Sequence, residues 1–179
     1  MNFADIDWDV WRPRERATLM LIIRNGRILL IHKKRGLGAG LFNGPGGRVE
    51  PGETPRQAAI REVQEEICVT PTGVRSAGEL WFQFSTGHSI RGYVFTASGF
   101  RGDPRETDEA IPSWFPLTAI PYHAMWADDR IWVPLVLAGK SFTGRFLFDG
   151  EQMLGCEIFV TERRKDVANI EHSTLNIER

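Results

Sequence analysis

Three carboxylates fall close together in Arg61-Glu62-Val63-Gln64-Glu65-Glu66-Ile67. If this segment is helical, Glu62 and Glu66 lie one turn apart on one face and Glu65 flanks them. Carboxylates crowded on one surface repel one another, so their ionised array persists most easily around a hard divalent cation with oxygen ligands. Such a cation also binds triphosphates. By bridging carboxylates and phosphoryl oxygens it neutralises charge on the group under attack and lowers the pKa of a bound water, which makes hydrolysis at phosphorus the natural chemistry. Taken alone, a glutamate-rich helix is more often a solvated face, with Arg61 simply pairing to Glu65. The elements around it must therefore decide.

The helix itself is well signalled. Thr54 suits its N-cap, Pro55 its first position and Gln57 completes a capping box, so the spacing predicts a helix from Thr54 to about Ile67 with Ile60, Val63 and Ile67 as its apolar stripe. Ahead of it lie two β-branched runs, Thr18 to Ile23 and Arg27 to Ile31, joined by Asn25-Gly26, the pair best suited to a tight hairpin. A basic, glycine-rich loop from Lys33 to Gly40 leads into Asn43-Gly44-Pro45-Gly46-Gly47. Beyond the helix, Glu79 to Phe84 and Ile90 to Ala97 read as a strand pair, Arg101 to Glu109 as a polar loop and Trp114 to Leu117 as a short strand. Asp128 or Asp129 suits the cap of a second helix reaching Ala138, kinked or broken by Pro134. A last hairpin, Ser141 to Phe148 and Met153 to Val160, turns at Asp149-Gly150. After Thr161 the chain becomes polar and aperiodic, which predicts one domain over residues 1–160 and a loosely ordered tail over 161–179.

The 179 residues suit one domain. A hydrophobic fraction of 42% and a charged fraction of 25% are those of a soluble globular chain, and no apolar stretch is long enough to span a membrane. The segment Met1 to Arg16 lacks a secretory pattern, so the cytoplasm is expected. A net charge of −1 gives no global attraction to a nucleic-acid polymer, and any phosphate must be bound locally. Cys68 and Cys156 are too few for a disulfide framework or a thiolate metal site and read as small buried hydrophobes. His32, His88, His123 and His172 show no metal-ligand spacing.

Gly47, Glu53 and Arg61-Glu62-Val63-Gln64-Glu65-Glu66-Ile67-Cys68-Val69 together resemble the Nudix box. One position departs: the family carries glycine where this chain has Cys68, just past the helix, where a left-handed residue normally ends it. The resemblance implies an α/β Nudix fold, a mixed β-sheet sandwiched between α-helices, acting on a small-molecule nucleotide as a monomer. It implies magnesium, with manganese as a substitute, held by Glu62, Glu66 and a backbone carbonyl at Gly46 or Gly47. Glu65 is a further ligand or base, Glu109 lends an extra carboxylate from its loop, and Glu53 with Arg61 locks loop to helix.

The likeness extends from about Thr18 to Val160. Lys33-Lys34-Arg35-Gly36-Leu37-Gly38-Ala39-Gly40, Phe42-Asn43-Gly44 and Met125-Trp126-Ala127-Asp128-Asp129 resemble the animal enzymes that sanitise oxidised purine nucleoside triphosphates. In those, residues matching Asn43, Asp128 and Asp129 read the purine edge, Trp126 stacks on its face and Lys33 lies near the base pocket. Thr18, Phe82, Phe84, Met125 and Trp132 are expected walls, and Leu37 replaces an aromatic, which widens one side. The implied activity is conversion of 8-oxo-dGTP, 2-oxo-dATP or an alkylated purine triphosphate to monophosphate and pyrophosphate. Hydrolysis of a dinucleoside polyphosphate or nucleotide sugar, or non-catalytic nucleotide sensing, stays open. So does an ordinary role for Asp128-Asp129 as a helix cap.

Overall fold

The computed structural model describes residues 1–162. The chain forms β1 (Glu15–Arg24), β2 (Arg27–Lys33), β3 (Phe42–Asn43), α1 (Pro55–Ile67), β4 (Thr70–Thr72), β5 (Arg75–Phe84), β6 (Ser89–Ala97), β7 (Gly99–Arg101), β8 (Ala110–Pro116), α2 (Asp129–Leu137), β9 (Lys140–Asp149) and β10 (Gln152–Glu162). The main sheet runs β10-β9-β5-β6-β1-β2, with β3 and β8 both pairing β2. The β1–β6 and β5–β9 pairs are parallel and the rest antiparallel, giving the expected mixed sheet. β10 continues to Glu162, and the rest of the expected tail, with His172, lies outside the described residues.

Period-two alternation assigns each strand residue to a face, and each face has its own helix. Met20 and Ile22 of β1 and Leu29 and Ile31 of β2 pack with Ala59, Val63 and Ile67 of α1. Their neighbours Leu21, Ile28 and Leu30 pack on the opposite face with Trp132, Val133 and Val136 of α2, and with Phe146 and Phe148 of β9. The Asn25-Gly26 turn forms with positive φ at both residues, 51° and 70°, as the tight hairpin requires. Thr54 caps α1 with the reciprocal Gln57 bonds expected.

Several expectations need correction. β4 and β7 form a separate two-stranded sheet that sequence periodicity missed, because three residues each are too few to display it. β8 starts at Ala110 rather than Trp114, held by backbone pairing along the whole of β2. α2 passes Pro134 without interruption. Pro134 and Arg130, whose carbonyl loses the proline's bond, are both exposed, so water can replace that donor. Both cysteines are exposed rather than buried. Cys68 occupies the left-handed cap of α1 (φ 62°), outside the apolar stripe, and Cys156 sits on the edge strand β10.

Candidate active site

The Pro45-Gly46-Gly47 segment is laid against β1 by two backbone bonds, Met20 N–H to the Pro45 carbonyl and Thr18 N–H to the Gly47 carbonyl, both 2.8 Å. By alternation, the Gly46 N–H and carbonyl point away from β1. The Gly46 N–H meets Glu66 Oε2 of α1 at 2.8 Å. The glycines are needed for this approach: a Cβ on Gly46 would lie 1.9 Å from the Thr18 carbonyl oxygen, and one on Gly47 about 2.5 Å from the Glu62 carboxylate.

Arg61 fixes the rest of the loop. Its Nε and Nη2 donate to the two Glu53 oxygens at 2.7 and 3.0 Å, Nη2 also to the Arg48 carbonyl at 3.0 Å, and Nη1 to Glu62 Oε1 at 2.8 Å and Glu65 Oε2 at 3.1 Å. The Glu53–Arg61 lock thus forms and reaches the carboxylates too. These pairs hold Glu53 below its ordinary carboxylate pKa and Arg61 above its own.

The three glutamates of α1 are not equivalent. Glu66 is 1% exposed, Glu62 has a side chain 13% exposed and Glu65 one 55% exposed. Burial pushes Glu66 up to about 7, against the Gly46 N–H and the nearby Lys33 charge; Glu62 and Glu109 raise it further. Glu62 is raised as well, chiefly by burial, with Arg61 opposing and Glu65 and Glu109 adding. Each group thus feels Glu109. Its loop is anchored by Thr107, whose hydroxyl donates to the Glu66 carbonyl at 2.9 Å and accepts from the Glu109 and Ala110 N–H groups. Thr107 carried no signal in the sequence. Arg35 pairs with Glu109, and Lys34 with Glu106 at 2.5 Å.

Among the described residues, no three His, Cys, Asp or Glu side chains converge so as to enclose a metal ion by themselves. The donors nevertheless suit a hard cation: partly neutralised carboxylates raised by burial and mutual repulsion, beside a glycine cradle that a Cβ would fill. Backbone carbonyl and phosphate oxygens would have to complete the coordination.

A cavity of ≈ 440 Å³ is lined both by Gly46 and Gly47 of this loop and by Asp128 and Asp129 at the start of α2. Thr18, Lys33, Asn43, Phe82, Phe84 and Trp126 all line it, as do Met125 and Trp132. Phe148, which sequence reasoning overlooked, joins them. Its ring meets Trp126 edge-on (5.4 Å, 87°), and its alternation with Phe142 and Phe146 along β9 was the available signal. Gly38 lets its loop close on the rim, since a Cβ there would touch Trp126 Nε1 and Asn43 Nδ2. Leu37, in the same loop, lines the cavity while staying exposed.

Asp128 stands at the N-cap of α2 but has helical backbone angles and makes no capping bond. Its Oδ2 accepts from Trp132 Nε1 at 2.9 Å, while its Oδ1 is buried with no partner. Thr18 Oγ1 is likewise buried and unpartnered. Burial raises both aspartates, and the Asp128 charge raises Asp129 further, so the pair favours holding a proton. Both residues line the aromatic cavity, and buried polar atoms without a partner are costly.

The NUDIX domain model matches residues 13–136. The chain is 44% identical over 138 residues to the oxidized purine nucleoside triphosphate hydrolase of Danio rerio, a span of 76% of this chain and 88% of that protein. The Mus musculus protein of the same name is 38% identical over the same shares. A crystal structure of a MutT protein from Bacillus halodurans superposes with a TM-score of 0.73 at 22% identity, covering 80% of this chain and 97% of that one, and so shares its fold.

Proposed function

The chain belongs to the NUDIX family, and we propose on that premise that it hydrolyses oxidised purine nucleoside triphosphates to the monophosphate and pyrophosphate. The observation that carries the reading is the cavity. It joins a polar, proton-holding aspartate pair to the glycine loop of the carboxylate helix, as a base and its phosphates require.

At the base end, one aspartate keeps a proton and donates while the other accepts, so the pair with Asn43 matches a purine edge presenting acceptor beside donor. Trp126 supplies the stacking face. A wrong base leaves Asp128 Oδ1 or Thr18 Oγ1 unpaired, and selectivity follows from that penalty. Lys33, near enough to act on Glu66, suits the first phosphate.

Members of this family generally use divalent metal ions, and magnesium, replaceable by manganese, is the ion proposed here. When bound, it neutralises phosphoryl charge and acidifies a water. Glu62, Glu66 and Glu109 are its proposed ligands together with the Gly46 carbonyl; the Gly47 carbonyl already accepts from Thr18. Glu65, exposed on α1 and paired to Arg61, is the further ligand or base. Arg61 holds Glu62 and Glu65 in place by their Nη1 bonds. Action as a cytoplasmic monomer belongs to the same reading; among the described residues no helix is long and apolar enough to cross a membrane.

Product analysis tests the proposal. The purified chain with magnesium is offered 8-oxo-dGTP, 2-oxo-dATP, N6-methyl-dATP, their unmodified counterparts, a dinucleoside polyphosphate and a nucleotide sugar. Monophosphate and pyrophosphate should appear fastest from a modified purine. Turnover of only the dinucleoside or sugar substrate overturns the substrate, and absence of turnover with all of them overturns the enzyme.

A further inference from the structure

A second pocket, of ≈ 370 Å³, adjoins the main cavity and is walled by Pro13, Arg14, Glu15, Arg16, Arg48 and Val49. Glu15 and Arg48 are walls of both. Glu15 is the pocket's one acid and its charge is already met: Arg48 Nε and Nη2 grip its two oxygens at 2.7 and 2.8 Å. Arg14 and Arg16 have no acidic partner among the described residues. The pocket therefore holds uncompensated positive charge in a chain whose net charge is −1, a local excess rather than a generally basic surface.

Its position is set by the active-site loop. Val49 N–H donates to the Arg16 carbonyl at 2.9 Å and Arg48 bridges Ala17, which brings the arginines of the N-terminal segment beside the residue that follows Gly47. The Arg48 carbonyl is in turn held by Arg61, the clamp on Glu62. The excess charge thus lies beside the glycine loop that lines the main cavity, in a pocket whose walls include neither Asp128 nor Asp129. Guanidinium groups stay charged at any working pH and present paired donors that match phosphate oxygens.

We propose that this pocket receives the outer phosphates of the nucleotide and, after hydrolysis, pyrophosphate. Arg14 and Arg16 then determine specificity for triphosphates over diphosphates. The direction of the nucleotide, base toward the aspartates, rests on the preceding section; the affinity for a polyphosphate anion does not.

The test uses inorganic pyrophosphate with magnesium, measured by calorimetry and as a product inhibitor, on the full chain and on the Arg14→Ala/Arg16→Ala variant. Both side chains are exposed, so folding should survive. Pyrophosphate affinity should fall by about 10-fold or more, as expected for losing two charge-assisted contacts, while inhibition by the nucleoside monophosphate is unchanged. The preference for triphosphate over diphosphate should shrink alongside. An Arg75→Ala/Arg101→Ala variant, which removes the same charge from exposed positions elsewhere, should bind pyrophosphate as the parent does. Unchanged pyrophosphate binding in the first variant, or an equal loss in the second, overturns the assignment. Pyrophosphate carries no base. Loss of its binding with no turnover of oxidised purines would therefore sink the substrate reading alone, and the converse would sink this one alone.

Discussion

Glu66→Gln, followed without metal across pH, tests the reasoning about the carboxylate helix from the structure outward. The Glu66 side chain is 1% exposed, accepts one backbone N–H and has its pKa raised from 4.5 to about 7 by burial. The folded chain therefore holds this proton more tightly than the unfolded chain does. Stability must fall as pH rises between these two values and level off above the higher one. At about 1.4 kcal/mol per unit, the ionised group costs the metal-free fold about 3 kcal/mol above pH 7. Glutamine keeps an acceptor for Gly46 but adds amide donors that need partners, which takes back about 1 kcal/mol. The variant should therefore be more stable than the parent by about 2 kcal/mol at pH 8, or about 4–8 °C in Tm for a chain of this size, and no more stable at pH 4.5. Asp128 and Asp129 add a slope of the same sign, which cancels in the difference because neither is among the charges that act on Glu66. Urea titrations in EDTA, followed by tryptophan fluorescence, measure this directly. Magnesium should stabilise the parent at pH 8 and leave the variant, which should also lose turnover, nearly unmoved. A parent stability that is flat between pH 4.5 and 8, or a variant that gains as much from magnesium as the parent, refutes the argument.

Five further substitutions probe other parts of the protein. Asn43→Ala and Asp128→Asn should each reduce the kcat/KM ratio between a modified purine triphosphate and its normal counterpart by about 10- to 100-fold, with magnesium affinity unchanged; an unaltered ratio in both removes the pocket assignment. Gly47→Ala should push the Glu62 carboxylate off Arg61 and lower kcat at least about 10-fold with the fold intact. Gly46→Ala meets backbone instead of a movable carboxylate and should give unfolded protein, so comparable circular dichroism and activity for the two variants would contradict the packing. Cys68→Gly relieves a left-handed non-glycine residue and should raise stability by about 1 kcal/mol in urea denaturation; a loss of stability would show that the thiol contributes more than the strain costs.

Local rules made much of this protein legible in its sequence. The Thr54 cap, the Asn25-Gly26 turn and the period-two strands each follow from interactions within a few residues, and so does the face shared by Glu62 and Glu66. The departure at Cys68 was local as well: the helix still ends there, with a non-glycine residue taking the left-handed cap. Tertiary packing alone decided which of those faces became buried. Glu65 and Glu66 are chain neighbours of identical chemistry, yet one is exposed and the other is pushed to about 7 because the Gly46 loop, positioned by β1, closes over it. Asp128 stands where a cap belongs but bonds Trp132 instead, its second oxygen is buried without a partner, and the residue lines a cavity walled from both halves of the chain. Arg14 and Arg16 look like an ordinary charged segment until backbone pairing sets them beside Val49. Desolvation and charge excess depend on everything that surrounds a group, and most of those neighbours are remote in sequence.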